Sequence, residues 1–199
     1  MTPLIRRLKS IALVGIALPG VFFSASSNKS ASQISEKPAA VFEGKDTLLR
    51  PEGYREWVFV GTSTGLNYMP NPAPSSANSR EDFKNIYINP AAYREFVKSG
   101  TFPEGTMMIL EVATAAVKNE PGLQGSYAGK YIALEASVKD SKRFAGGWAY
   151  FGFTDMSGKP LAKATPFPDG ACLSCHQKKA ATDHVFTQFY PVLNSARPK

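Results

Sequence analysis

Cysteine and histidine are scarce in this chain, two of each among 199 residues, and its N-terminal apolar stretch is too short to span a bilayer. That stretch, Ile11 to Phe23, is 13 residues long and is broken by Gly15 and Pro19, whereas a spanning helix needs ~20. It follows Arg6, Arg7 and Lys9 and precedes Ser24-Ala25-Ser26, so residues 1–26 read as a secretory signal peptide, with an uncleaved anchor as the other reading. The signal holds three basic and no acidic residues, and without it the formal charge of +7 falls to +4, 20 basic against 16 acidic. No basic stripe or cluster accompanies this charge, which argues against nucleic acid as a partner. Internal repeats at solenoid periods are absent too. A composition of 43% hydrophobic and 12% aromatic residues excludes a disordered protein. The remaining chain of about 170 residues suits one domain with a real core.

What cysteine and histidine there is stands almost entirely in one place. Cys172-Leu173-Ser174-Cys175-His176 uses both cysteines and one histidine. It is a C-x-x-C-H run, the attachment signature of a c-type haem. Two thiols three positions apart on one turn reach the two vinyl groups of one porphyrin edge. The adjoining imidazole then falls beneath the iron as proximal ligand. A disulfide and a thioredoxin-like redox pair are the other readings of the two thiols. A zinc site needs four ligands, and the motif supplies three.

Residues 27–47 are rich in Ser, Ala and Lys without periodicity and read as a flexible leader, so the expected domain is 48–195. Strands are expected at 56–61, 83–88, 106–113, 131–138 and 148–153, from their apolar, β-branched and aromatic content. Ile132, Leu134 and Val138 share one face of the fourth, Tyr131, Ala133, Glu135 and Ser137 the other. The prolines of 67–80 make a loop. Asn89-Pro90 starts a helix that Gly100 closes, with Tyr93, Phe96 and Val97 as its buried stripe. A Gly-rich loop through Pro121, Gly122 and Gly125, a helical turn at 140–144, and a helix starting at Thr182 or Asp183 complete the reading. The fold class is mainly β (α+β): an antiparallel sheet decorated by short helices, with the haem motif on a turn or short helix against the sheet near the C-terminal segment.

Several blocks resemble the cytochrome P-460 superfamily, which includes cytochrome c′-beta. They are Tyr54-Arg-Glu-Trp-Val-Phe-Val-Gly-Thr62, Ile86-Tyr-Ile-Asn-Pro90 with Tyr93, Phe102-Pro-Glu-Gly-Thr106, the run from Gly129 to Asp140, Gly147-Trp-Ala-Tyr150, Cys172 to His176, and the run from Thr182 to Leu193. The resemblance implies a mainly antiparallel β fold, a homodimer, and one covalent haem c with His176 on the iron and an open or weakly occupied distal side. In the hydroxylamine-oxidising branch a lysine after the Gly-Thr run cross-links to the porphyrin. Here Leu110 falls at that position, and no lysine lies between Phe102 and Val117. A leucine has no nucleophilic nitrogen, so the resemblance is to the uncross-linked c′-beta type, associated with nitric oxide and carbon monoxide.

If 106–112 is a strand, Thr106, Met108, Leu110 and Val112 share a face. With Leu110 facing the haem, Met108 is either an apolar wall or a sixth ligand, which would raise the potential and close the iron to gases. Met69 and Met107 are weaker choices. Glu135 corresponds to a distal proton acceptor of the oxidising branch, or is a solvated strand carboxylate. Lys84 lies where that family has a basic distal residue, and Phe83 is an aromatic cap over the iron or plain core. His184 lies just eight residues beyond His176, a tether too short to reach around a porphyrin, and is expected at the surface.

Three functions compete. The first is a periplasmic, exported haem protein binding nitric oxide or carbon monoxide at an apolar distal face. The second is a haem-dependent oxidoreductase acting on hydroxylamine or nitric oxide with Glu135 as base. The third is a His176/Met108 electron-transfer cytochrome serving a periplasmic redox partner.

Overall fold

The computed structural model describes residues 38–66, 82–196 and 198. The expected signal 1–26, most of the leader and the expected loop at 67–80 therefore lie outside the described residues, as does Met69.

Five strands form one antiparallel sheet in the order in which they occur: β3 (Val58–Ser63), β4 (Phe83–Ile88), β5 (Met107–Glu120), β6 (Leu123–Lys139) and β7 (Trp148–Gly152). A smaller sheet joins β1 (Phe42–Glu43), β2 (Thr47–Leu49) and β8 (Lys163–Ala164). The helices are α1 (Pro90–Ser99), α2 (Leu173–Lys179) and α3 (Pro191–Ser195). The mainly β class and all five main strands agree with expectation.

Side-chain alternation along these strands splits the core in two. On one face Ile88, Met108 and Tyr150 pack with Phe96, Phe102, Trp148, Leu173, Val185, Phe186, Tyr190 and Leu193, under the three helices. Phe96 and Phe102 stack at 4.2 Å, and Trp148 meets Phe102 edge-on at 6.3 Å. On the other face Met107, Ile109, Leu134, Ala136, Val138 and Phe151 pack with Leu48 and Tyr54, under the smaller sheet. Each fully buried large apolar side chain contributes roughly 1.5–3 kcal/mol, so both faces hold the sheet in place.

Several expectations are revised. The leader boundary falls before residue 47, because Phe42–Glu43 pairs with Thr47–Leu49 and Phe42 packs on Phe144 and Phe151. The Gly-rich loop does not form: β5 and β6 continue as one long hairpin whose turn is Pro121-Gly122, Gly122 taking φ +80°. Asn89 does not cap α1 with its side chain. Its Oδ1 accepts the Met107 N–H at 2.8 Å instead, pinning the helix start to β5. Gly100 closes α1 in the left-handed region as expected, but Val97 is exposed and Ala92 takes its place in the buried stripe. No helix starts at Thr182. Thr182 and Val185 bridge each other around a tight turn in which Asp183 and His184 both have positive φ, 44° and 62°.

Candidate haem site

The cleft at the C-terminal segment lies between the first of these faces and the segment that carries the cysteines. Two cross-strand rows of the sheet make its floor. Ile86, Leu110, Glu135 and Gly152 are register partners along one row, and Ile88, Met108, Ser137 and Tyr150 along the next. Cys172, Cys175, His176, His184, Val185, Phe186 and Tyr190 line the cleft from the other side. It encloses about 200 Å³ and is open to solvent in part, less than the roughly 300–1,000 Å³ usual for cofactor and ligand clefts.

The sequence positions the motif by a sharp entry into α2. Cys172 stands at the helix N-terminus, and its carbonyl accepts the N–H groups of Cys175 and His176 at 3.1 Å each. The two thiols and the imidazole are therefore held within little more than one turn, lining the cleft, and the thiols are not joined in a disulfide. Leu173, 5% exposed, packs the helix onto the sheet side against Gly146. A Cβ at Gly146 would collide with Leu173, so the absence of a side chain there sets how closely α2 approaches.

His176 is constrained on several sides. Its Nδ1 donates to the backbone carbonyl of His184 at 2.7 Å, and its ring lies 4.5 Å from Tyr150 and 4.6 Å from Phe186. With Nδ1 committed to a carbonyl, Nε2 is the nitrogen that could hold a metal, an arrangement usual for metal-binding histidine. Burial holds its pKa below the ordinary histidine value, against the raising effect of the His184 carbonyl, so the ring stays neutral, the form that ligates. His184 itself is a correction. It is half-buried and lines the cleft, and its carbonyl is the group that orients His176. The left-handed turn that delivers this carbonyl costs of order 1 kcal/mol per residue, a strain that packing of the turn must offset.

Of the distal candidates, Leu110, Met108 and Glu135 come together on the cleft floor. Met108 is 7% exposed, in the row that ends on Tyr150, and packs as wall in the buried cluster. Glu135 is half-buried and lines the cleft; burial raises its pKa from the ordinary glutamate value, partly offset by the charge of Lys84. Lys84 Nζ donates to the Leu66 carbonyl at 2.7 Å. Phe83 does not join them. It pairs with Ala113 and alternates with Lys84 and Ile86, so it belongs to the opposite face and does not line the cleft. Met107 is buried in that opposite face as well.

Three features escaped sequence reasoning. Phe167 lies across Gly152, where a Cβ would sit 2.6 Å from its ring, so an aromatic covers β7 beside Glu135. Glu111, 1% exposed, accepts from Tyr54 and Arg55 on the far face, and burial, then the neighbouring Glu111, push the Tyr54 phenol well above its ordinary value. Asp183, in the turn, accepts from Trp148 and Lys139. Only Phe167 had a sequence signal, its place in the Pro-rich approach to the motif.

The cytochrome P460 family model matches residues 51–187, well over half of the chain. The chain belongs to the cytochrome P460 family and is thus a haem protein of the P460/c′-beta kind. No curated protein matches it. The residues present suit that group. A haem needs an apolar slot and an axial donor fixed in one orientation. The cleft offers Ile86, Met108, Leu110, Val185 and Phe186 for the first and His176, tied at Nδ1, for the second.

Proposed function

We propose that this protein is an exported, periplasmic cytochrome carrying a single covalent haem c, which binds nitric oxide or carbon monoxide at an apolar distal face in the handling of nitric oxide. Cys172 and Cys175 form the two thioethers and His176 holds the iron. The haem, when bound, supplies the metal coordination position at which a diatomic is held; the chain's part is to orient His176 and to present Ile86, Met108 and Leu110 as an apolar wall. The observation that carries this reading is Leu110 on the cleft floor, between Ile86 and Glu135 in register. An alkyl side chain there forms no bond to a porphyrin and offers nothing to polar bound oxygen, whereas neutral diatomics need no such donor.

A second reading, favoured by one observation, is oxidation of hydroxylamine or nitric oxide. Glu135 lines the same cleft with a raised pKa, as a proton acceptor requires. Optical spectra of the purified protein, ferric and ferrous, with and without nitric oxide, separate the readings. A high-spin ferrous spectrum that shifts on adding the gas is expected. A low-spin spectrum with a thioether-to-iron band would replace this proposal with the His176/Met108 electron-transfer reading, and hydroxylamine turnover with a strongly red-shifted ferrous Soret band would replace it with the oxidase. Homodimerisation and signal cleavage near residue 26 belong to the same proposal; sedimentation and N-terminal sequencing of the periplasmic protein test them.

A further inference from the structure

The carbonyl that orients His176 belongs to a turn whose own position is set by one carboxylate. Thr182 and Val185 close the turn with the Val185 N–H on the Thr182 carbonyl at 2.7 Å, and the positive φ of Asp183 and His184 are those of a type I′ turn. Such a turn favours asparagine and glycine, and a histidine at its second central position gains nothing locally. What ties it down is Asp183. Its Oδ1 accepts the Trp148 indole N–H at 3.2 Å and its Oδ2 the Lys139 ammonium at 2.7 Å. Lys139 and Trp148 are register partners at the ends of β6 and β7, so both bonds run to one spot on the sheet. Lys139 is in turn fixed by donating to the Phe102 carbonyl at 2.7 Å, and Trp148 is 2% exposed.

We infer that Asp183 is a positioning residue for the proximal ligand: by anchoring the 183–184 turn to the Lys139–Trp148 pair it sets the hydrogen bond from His176 Nδ1 to the His184 carbonyl, and through it the donor strength of the axial imidazole. The inference rests on the haem reading above. A firm Nδ1–H bond gives the imidazole imidazolate character and makes it a stronger donor, which favours ferric over ferrous iron. The rest of the loop has its own supports, Thr182 Oγ1 to Thr187 Oγ1 at 2.9 Å and Gln188 bonded to Ala181 and Lys179. Loss of the carboxylate therefore loosens the carbonyl without releasing the loop.

The test is the holoprotein with Asp183→Gly, which keeps the left-handed backbone and removes the anchor, alongside Asp183→Asn and Lys139→Met, which each weaken it. The readouts are the iron–histidine stretching frequency of the ferrous form by resonance Raman and the reduction potential. Expected for Asp183→Gly are a lower stretching frequency and a ferric–ferrous equilibrium displaced toward ferrous by about tenfold, at the lower end of what outer-shell substitutions do. The two weaker variants shift the same way by less and carry the test if the glycine variant does not fold. Unchanged frequency and potential in folded, haem-loaded variants would overturn the inference. A wild-type protein without covalent haem overturns instead the reading beneath it.

Discussion

Glu135 shows how a single residue's surroundings decide its chemistry. From its sequence position it is as much a surface carboxylate as a distal one; in the structure it is half-buried on the cleft floor, in register between Leu110 and Gly152. Burial raises its pKa and Lys84 only partly reverses this. Because the folded value lies above the unfolded one, stability associated with the protonated form is present at acid pH and is lost as pH rises through the raised folded value. Glu135→Gln is therefore expected to melt above the parent at neutral pH and to converge with it in acid, which a series of thermal melts from pH 4 to 8 checks. Glu111 is set apart by its partners. It is buried with two donors, and removing the Tyr54 hydroxyl leaves its carboxyl with one donor fewer. Tyr54→Phe should cost roughly 1–3 kcal/mol, measurable by urea unfolding. Nothing in the sequence pattern separated these two glutamates, since each stands in an alternating strand and alternation does not say which face is wet.

At the scale of elements, strand positions were legible because their apolar periodicity is strong, and the C-x-x-C-H helix because its chemistry is local. The β5–β6 hairpin departs from expectation where small and polar residues, Thr114 to Ala116 and Gly125 to Gly129, look like loop yet lie in paired strands, with register shifts beside Ala113. Glycine weakens a strand without forbidding it once a partner strand supplies the hydrogen bonds. The turn at 182–185 was illegible for a different reason: His184 stands where a type I′ turn usually has glycine, and the bonds from Asp183 to Lys139 and Trp148 are remote in sequence. The approach of α2 to the sheet yields a sharp prediction. Gly146→Ala places a methyl against Leu173 and should displace the motif helix, costing about 1–3 kcal/mol. Haem incorporation should fall with it, as the Soret absorbance per protein reports, whereas Gly158→Ala, with open space around it but positive φ, should lose stability without losing pigment.

Across the described residues, the sheet separates two cores. The far one packs against Leu48, Tyr54 and the smaller sheet, while the near one borders the cleft. A group bound only in the folded state stabilises by linkage. The double variant Cys172→Ala/Cys175→Ala is thus expected to lose covalent pigment on acidified-solvent extraction. It should also melt about 10 °C lower, which corresponds to ~3 kcal/mol in a domain of this size.

The strand order carries one more consequence. Each strand of the main sheet pairs with the one before it, and β7 ends at Gly152, whereas the cysteines begin at Cys172. As the chain emerges residue by residue, N-terminus first, the entire pleated wall precedes the attachment segment. On the haem reading proposed above, the prosthetic group would meet a mould whose every plank is already in hand, with the C-terminal stretch as the latch that shuts over it.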